Sequence, residues 1–257
     1  MTPTEPTPIE RPPRPSATVV LVRAAADGGI EALLLQRAER GDHNSGAWVF
    51  PGGLTDPRDR DVDHHVDGLD DAEASRRLKL PSRGLDFYLA AVRECFEESG
   101  ILLASTQLPD PDVLQHWRGL LQPGECGLED FCAACDQRLA LGGIAYVSHW
   151  LTPIGRPKRF DTRFFVAVAP PDQVVVHDAI ETVDHRWIRP ADALARGDAL
   201  KLLTPTLHTL RLLGRHSTVD DLMRWSHSAR EIVQILPCLT MGNGGVQPVI
   251  PGDPAYA

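Results

Sequence analysis

The sequence predicts an α/β fold, in which strands and helices alternate along the chain. Apolar, β-branched runs at residues 17–25, 30–36 and 47–50 have the composition of strands. Residues 85–99 have a helical pattern, because their apolar members recur at helical spacing and form one stripe at Leu85, Leu89, Val92 and Phe96. Further strand-like runs follow this helix. The alternation predicts helices that pack by their apolar stripes on a sheet.

The elements outside this helix are assigned in the same way. The segment Asp27–Gly29 is typical of a hairpin turn, so the first two strands should pair antiparallel. Residues 191–195 are predicted to form a short helix near the end of the domain. Strand character recurs at residues 101–103, 147–152 and 164–169, and residues 174–177 followed by 180–190 are expected to form the closing strand.

The predicted domain covers residues 17–197 and carries two insertions. The first, residues 54–84, is rich in Asp and Arg and should be mostly loop, with a short helix at residues 71–80. Its adjacent histidines, His64 and His65, are interpreted as solvated side chains, with metal ligation as the alternative. The second insertion, residues 104–146, should contain helices at residues 112–121 and 128–141.

The two ends of the chain should lie outside this domain. Residues 1–16 are rich in Pro and Thr and are predicted to form a flexible tail. Residues 198–257 carry helical periods at 206–213 and 219–232 and then a Pro- and Gly-rich tail. We interpret this region as a helical extension that caps the domain or provides the contact of a homodimer.

Three carboxylates share one face of the helix predicted at residues 85–99. Glu94, Glu97 and Glu98 lie opposite its apolar stripe. Carboxylates held this close raise one another's pKa unless a cation lies among them, and hard divalent cations prefer oxygen ligands. The helix is therefore a candidate platform for Mg²⁺ or Mn²⁺. A solvated acidic face is the alternative interpretation.

A glycine turn upstream favours the metal interpretation. The strand-like segment Trp48–Phe50 ends in Pro51, Gly52 and Gly53. Two successive glycines leave the backbone bare, so that a carbonyl group can approach an ion.

Together the turn and the helix resemble the Nudix hydrolase box, GX5EX7REUXEEXGU, where U is aliphatic. Gly53 matches the first glycine, and the second half of the box is matched by Arg93, Glu94, Glu97, Glu98, Gly100 and Ile101, with Cys95 at the first U. Thirty-nine residues separate Gly53 from Arg93, where the box has thirteen, so an insertion of twenty-six splits the motif. The first glutamate of the box is missing. Asp59, counted forward from Gly53, and Asp86, near the position counted back from Arg93, are the candidates to replace it.

The resemblance extends over about residues 17–195 and is narrower than the box alone. The segments His149–Pro153 and Arg159–Phe165, with the split box, are similar to the Nudix branch that contains the peroxisomal coenzyme A diphosphatase. This resemblance implies an α/β/α sandwich around a mixed sheet and a hydrolase of diphosphates linked to a nucleoside. Coenzyme A or an acyl derivative is the favoured substrate. A catalytically silent nucleotide-binding module, or an enzyme for a nucleotide sugar or dinucleotide, is the alternative.

The same resemblance implies the roles of the site residues. Glu94, Glu97 and Glu98, with the carbonyl of Gly52, would hold the metal. Glu94 or Glu97 would be the base or orient the attacking water, and Arg93 would pair with a carboxylate and fix the helix.

A basic cluster in this acidic chain is the candidate substrate contact. It consists of Arg156, Lys158, Arg159 and Arg163. Arg159 and Arg163 should share one face of the sheet and could clamp phosphate, because guanidinium groups bind phosphate oxygens in bidentate fashion. A charged hairpin edge that opposes aggregation is the alternative. Arg37, which follows the second strand, loosely resembles the conserved arginine of coenzyme A-directed members and is a further candidate contact.

Composition narrows the class of partner. The formal net charge is −9 in 257 residues, which argues against nucleic acid or an anionic membrane as the main partner. The sequence contains no run of eighteen consecutive apolar residues, so no membrane-spanning helix is predicted. The five cysteines, with no export signal, are expected to be free thiols. We expect a cytoplasmic protein, because the final residues Pro254–Ala257 do not form a peroxisomal address.

Overall fold

The computed structural model describes residues 12–41, 44–196, 199–242 and 245–253, and within them a mixed sheet lies between two layers of helices. The helices are α1 Asp71–Leu78, α2 Leu85–Ser99, α3 Pro111–Leu121, α4 Leu128–Ala134, α5 Pro190–Ala195, α6 Thr204–Leu213 and α7 Val219–His227. A 3₁₀ helix spans Pro57–His65. The strands are β1 Arg14–Ala24, β2 Ile30–Arg37, β3 Trp48–Val49, β4 Gly52–Leu54, β5 Val66–Asp67, β6 Leu139–Ala140, β7 Ala145–Leu151, β8 Phe160–Val168, β9 Thr182–Ile188, β10 Gln234–Ile235, β11 Cys238–Gly242 and β12 Gly245–Val249.

The main sheet has the strand order β10-β7-β8-β1-β2-β3, and β4 and β9 pair with β1 and β2. The first hairpin is antiparallel as predicted, whereas β1 runs parallel to β8, so the sheet is mixed. Neighbouring residues of β1 face opposite layers, as the two-residue period of a strand requires. Val19 and Leu21 pack toward α2, and Val20 and Val22 pack toward α6 and α7. The predicted α/β/α sandwich around a mixed sheet is confirmed.

Helix α2 packs on the sheet by its apolar stripe. Leu85, Leu89, Val92 and Phe96 are all buried. The ring of Tyr88, in the same helix, lies 4.4 Å from that of Phe165 in β8, and the ring of Phe96 stacks on Phe131 of α4 at 5.5 Å. This packing fixes the position of the opposite, acidic face of α2 relative to the sheet.

The first insertion caps the start of α2. The N-cap residue, Gly84, has no side chain that could accept a hydrogen bond, and its own N–H donates to the Ser75 hydroxyl at 2.8 Å. The two carboxylate oxygens of Asp71 accept from the N–H groups of Leu85 and Arg83, each at 3.0 Å. The first N–H groups of a helix have no partner within the helix, so α1 supplies the missing acceptors.

The second insertion caps the end of α2. The carbonyl of Glu97 lies in the last turn, where no N–H of the same helix is available. It accepts from Arg118 Nε at 2.9 Å and from Gln122 Nε2 at 2.7 Å, both near the end of α3. The two insertions thus hold α2 at both ends.

Three predicted elements within the domain differ from the structure, because contacts with distant residues overrode the local sequence pattern. The helix predicted at 128–141 ends at Ala134, and Asp136 then takes a positive φ of 51°, which leads the chain into β6. Residues 101–103 are not a strand, since the backbone of Leu102 pairs in both directions with the side-chain amide of Gln173. Of the predicted closing strand, residues 174–177 are not a strand, whereas residues 180–190 contain β9.

The ends of the chain also differ from the prediction. Residues 1–11 of the predicted tail lie outside the described residues, but Arg14–Ser16 belong to β1 and pair with β8. The helix predicted at 219–232 ends at His227. The region predicted as a Pro- and Gly-rich tail contains the hairpin of β11 and β12. In the described part of the chain, no helix combines the length and hydropathy required to cross a membrane.

The first insertion is closer to the prediction in its second half. Helix α1 is the short helix predicted at residues 71–80. Residues 57–65 are a 3₁₀ helix instead of the predicted loop. The five cysteines are free, as expected.

Replacing Asp71 by Ala is expected to lower the free energy of unfolding by about 1 kcal/mol at pH 7, the usual effect of removing a helix cap. Burial acts to raise the pKa of Asp71, but the N–H groups of Leu85 and Arg83 outweigh it and hold the pKa below 3.8. The stabilisation is therefore present above pH 3.8 and is lost as the pH falls further. Urea unfolding at pH 7 and at pH 3 measures both effects.

The control variant is Asp112→Ala, which removes an exposed aspartate from the first turn of α3. A loss of stability no larger than in this control would show that Asp71 does not cap α2.

Candidate active site

Arg93 lies at the centre of the acidic face of α2. Its guanidinium donates to Asp59 Oδ1 from Nε at 2.9 Å and to the Leu54 carbonyl from Nη2 at 2.7 Å. Nη1 donates to Glu94 Oε1 at 2.9 Å and approaches Glu97 Oε1 at 3.3 Å. One side chain therefore joins α2 to the 3₁₀ helix and to β4.

The contact with Arg93 decides between the two replacements for the missing box glutamate. Asp59 is 1% exposed, and both of its oxygens face Arg93. Asp86 instead pairs with Arg83 and Arg60 at the start of α2. Of the two candidates, Asp59 is therefore the one that the fold brings to the acidic face of α2.

The glycine turn lies directly against the acidic face. The N–H of Gly52 donates to Glu98 Oε2 at 3.0 Å. A Cβ atom on Gly53 would lie 2.3 Å from Glu94 Oε1, so only glycine leaves room for this carboxylate. The structure thus places the glycine turn against Glu94 and Glu98, and the role of the Gly52 carbonyl as a metal ligand stays a prediction.

Burial of these acids makes their negative charge costly. Desolvation is the main cause that raises the pKa of Glu94, of Glu97 to about 7, and of Glu98 well above its ordinary value. Desolvation also raises the pKa of Asp59, although Arg93 opposes it. When all four are ionised, Arg93 balances only one of the four charges. A buried excess of carboxylate oxygens is a donor set that suits a hard divalent cation.

The carboxylates are not gathered around a single point. Among the described residues, Glu94, Glu97 and Glu98 do not form a group whose donor atoms all lie within 4.8 Å of one another. Arg93 holds Glu94 and Glu97, whereas Glu98 turns to Gly52. The residues fit Mg²⁺ or Mn²⁺ by their chemistry, and binding would require carboxylates to turn away from Arg93.

Two further charged residues act on the cluster. Arg37, the last residue of β2, lowers the pKa of Glu98, while Glu181 acts to raise the pKa of both Glu94 and Glu98. Glu181 stands next to β9, and its carboxylate lies 3.5 Å from Arg40. Arg37 is therefore close to the site as predicted, although no contact shows that it binds a substrate.

The predicted phosphate clamp is not at this site. Arg163 is buried, and its guanidinium pairs with Asp161 and His149 and lies over the ring of Phe87. Arg159 is also buried and donates to the carbonyl of Thr152 at 3.2 Å. Phe87 precedes Glu94 by seven residues, which is roughly 10 Å along the helix. These guanidinium groups are engaged within the fold, so the structure does not support the predicted role of Arg159 and Arg163.

A cavity of about 220 Å³ adjoins Arg93 and Glu97. Its other walls come from the two insertions, namely Asp56, Arg58 and Asp59 from the first and residues 121–124 and 126–128 from the second. Asp56 and Arg58 were not among the predicted site residues. A signal was present, because Asp56, Pro57 and Asp59 have the pattern of a capping box, which the structure contains.

The two glycines of the turn should respond differently to alanine. A Cβ on Gly52 would lie 2.4 Å from the backbone oxygen of Ala17, which cannot move aside, so Gly52→Ala should destabilise the fold. In Gly53→Ala the clash is with the end of the flexible Glu94 side chain, so the fold should remain while catalysis is lost. Thermal unfolding and substrate turnover, measured on both variants, check this contrast. Full turnover by Gly53→Ala would contradict it.

The metal-free protein should become less stable as pH rises. With a pKa raised from 4.5 to about 7, Glu97 keeps a proton in the folded state that the unfolded state releases. This contribution to stability is complete below pH 4.5 and is lost as the pH passes 7. Bound Mg²⁺ offsets the repulsion, so the rise in Tm on adding Mg²⁺ should be larger at pH 8 than at pH 5. Thermal melts with EDTA or Mg²⁺ test this, and equal shifts for wild type and Glu97→Gln would count against Glu97 as a ligand.

The sequence of this chain matches a known protein family. Residues 69–205, more than half of the chain and including all of α2, match the model of the NUDT19 Nudix domain. The human acyl-coenzyme A diphosphatase NUDT19 is 26% identical, over 95% of this chain and 76% of the relative. The Gallus gallus protein of the same name is 27% identical, over 88% and 72%.

A solved structure agrees with this assignment. The NUDIX hydrolase from Alicyclobacillus acidocaldarius has a TM-score of 0.70 to this chain and is 27% identical, over 83% of this chain and 96% of that one. The acidic helix, the glycine turn against it and the arginine that joins them are thus found in a chain similar to Nudix proteins in both sequence and fold. The chain belongs to the NUDT19 Nudix domain family and is a Nudix hydrolase.

Proposed function

We propose that this protein hydrolyses the diphosphate bond of coenzyme A or an acyl-coenzyme A, with release of 3′,5′-ADP and a phosphopantetheine part. The observation that carries the proposal is the acidic cluster of α2 against the glycine turn, in a chain similar to proteins named acyl-coenzyme A diphosphatase. Glu98 of this cluster is buried, and Glu94 and Glu97 are partly buried. The relatives supply the substrate class, and the cluster supplies the chemistry.

Glu94, Glu97 and Glu98, with the carbonyl of Gly52, would hold Mg²⁺ or Mn²⁺. A divalent ion would neutralise the diphosphate and make bound water easier to deprotonate. Arg93 contributes differently, because its contacts with Asp59 and Leu54 keep the helix in register with the turn. Its role is therefore to position the carboxylates.

Glu97 is favoured over Glu94 as the residue that accepts a proton from water or orients it. Glu97 lines the cavity beside Arg93, whereas Glu94 is directed at Gly53. The pKa of Glu97, raised by burial to about 7 in the metal-free protein, also lies in the range in which a carboxylate exchanges protons at neutral pH.

The cavity between the insertions is the proposed place for part of the substrate. Arg58, about half exposed, lines it and donates to the Gly124 carbonyl at 3.0 Å. Asp56 neutralises part of its charge at 2.8 Å. Arg58 is therefore a better placed basic contact for substrate phosphate than Arg159 or Arg163. A cytoplasmic location and a homodimeric contact of the C-terminal extension stay predictions.

Turnover of a panel of diphosphates tests the proposal. Coenzyme A, an acyl-coenzyme A, a nucleotide sugar and a dinucleoside polyphosphate are each incubated with the protein in Mg²⁺, Mn²⁺ or EDTA. Coenzyme A substrates should give 3′,5′-ADP only with metal. Glu97→Gln should lower kcat at least ~100-fold, because the proton acceptor is lost while the shape of the side chain is kept.

The matched control is Glu231→Gln, which changes an exposed glutamate that pairs with Lys79 and should leave kcat unchanged. Two results would contradict the proposal. Binding of coenzyme A without turnover would indicate a silent module, and preference for a nucleotide sugar or dinucleotide would indicate a different specificity.

A further inference from the structure

A compact group of possible metal ligands lies where the two insertions meet, and it consists of His64, His65 and Glu129. The histidines are the last residues of the 3₁₀ helix, and Glu129 lies in the first turn of α4. One donor atom from each residue lies within 4.8 Å of the others. None of the three belongs to the acidic cluster of α2, so the group is separate from the candidate active site.

The distances within the group suit a shared ion better than hydrogen bonds. Glu129 Oε1 lies 3.6 Å from His64 Nε2 and 3.8 Å from His65 Nε2. Both separations are too long for a hydrogen bond. A tetrahedral Zn²⁺ ion with bonds of about 2.0–2.1 Å would place its ligand atoms about 3.4 Å apart. Small rotations of the three side chains would bring the ligand atoms to this spacing.

We propose that His64, His65 and Glu129 bind Zn²⁺. Two imidazole nitrogens and one carboxylate oxygen are ligands that Zn²⁺ accepts, whereas Mg²⁺ prefers oxygen alone. The fourth position of the ion is left to water. His64 is the most exposed of the three ligands, with 64% of its side chain accessible, and it provides the path for the ion from solvent.

The position of the group gives the ion a structural role. Two hydrogen bonds already join the insertions, because Arg58 donates to the Gly124 carbonyl and Arg138 donates to the His64 carbonyl at 3.1 Å. Zn²⁺ would add a third link, between the 3₁₀ helix and α4. The same 3₁₀ helix carries Asp59, which anchors Arg93. The ion would therefore stiffen the wall of the cavity without contacting the acidic cluster.

Zinc titration of the full chain in excess Mg²⁺ tests the site. Isothermal titration calorimetry should show one equivalent of Zn²⁺ that binds at least about tenfold more weakly in His64→Ala and in Glu129→Gln. Both replaced side chains are partly exposed, so these variants should fold even if His65→Ala does not. Co²⁺ bound in place of Zn²⁺ should give the intense visible absorption of a four-coordinate ion. The Tm should rise with Zn²⁺ in wild type and not in the two variants.

Two control variants exclude other zinc sites. Glu97→Gln changes the acidic cluster of α2, and His227→Ala removes an exposed histidine at the end of α7. Both should bind zinc like wild type. The proposal is overturned if wild type takes up no equivalent of Zn²⁺ in excess Mg²⁺. It is also overturned if His64→Ala and Glu129→Gln bind as tightly as wild type, or if only Glu97→Gln loses binding.

Discussion

The buried ion pair between Arg93 and Asp59 is the contact on which the geometry of the site depends. Burial acts to lower the pKa of Arg93, but Asp59, Glu94 and Glu97 outweigh it and raise the pKa, so the guanidinium stays charged among them. Breaking a buried pair by removing one partner typically costs about 3–5 kcal/mol, because the other charge is left uncompensated. Through the Leu54 carbonyl the same guanidinium also fixes the glycine turn. Helix, turn and 3₁₀ helix therefore keep one arrangement.

The insertions are structural parts of the site. A helix leaves N–H groups unpaired at its start and carbonyl groups unpaired at its end. In α2 these groups are paired by Asp71 and Ser75 at the start and by Arg118 and Gln122 at the end. The insertions also form most of the wall of the cavity beside Glu97. The two insertions, one between the halves of the box and one after it, thus hold the acidic helix in place and enclose the space beside it.

The acidic cluster of α2 predicted a site correctly placed in the fold, whereas the basic cluster near β8 did not. The acids of α2 lie together because three positions on one helical face are neighbours in any helix. The basic residues near β8 do not share a helical face, so their spacing in the sequence does not ensure that they lie together and unpaired. The charge of Arg163 is neutralised by Asp161, which lies in the same strand, and its guanidinium also contacts His149 of β7 and lies over Phe87. A run of like charges therefore predicts a binding surface only where the fold leaves the charges unpaired.

Local pattern was enough to predict an α/β fold, the acidic helix and the glycine turn, because helical and strand periods are properties of neighbouring residues. It could not choose between Asp59 and Asp86, since that choice depends on which of them the folded insertion brings to Arg93. It likewise could not show that Gln173 would take the place of a strand beside Leu102. Nor could local pattern predict that His64 and His65 lie beside Glu129 in the folded chain. Contacts between residues far apart in the chain arise only when the chain folds, and sequence spacing carries no record of them.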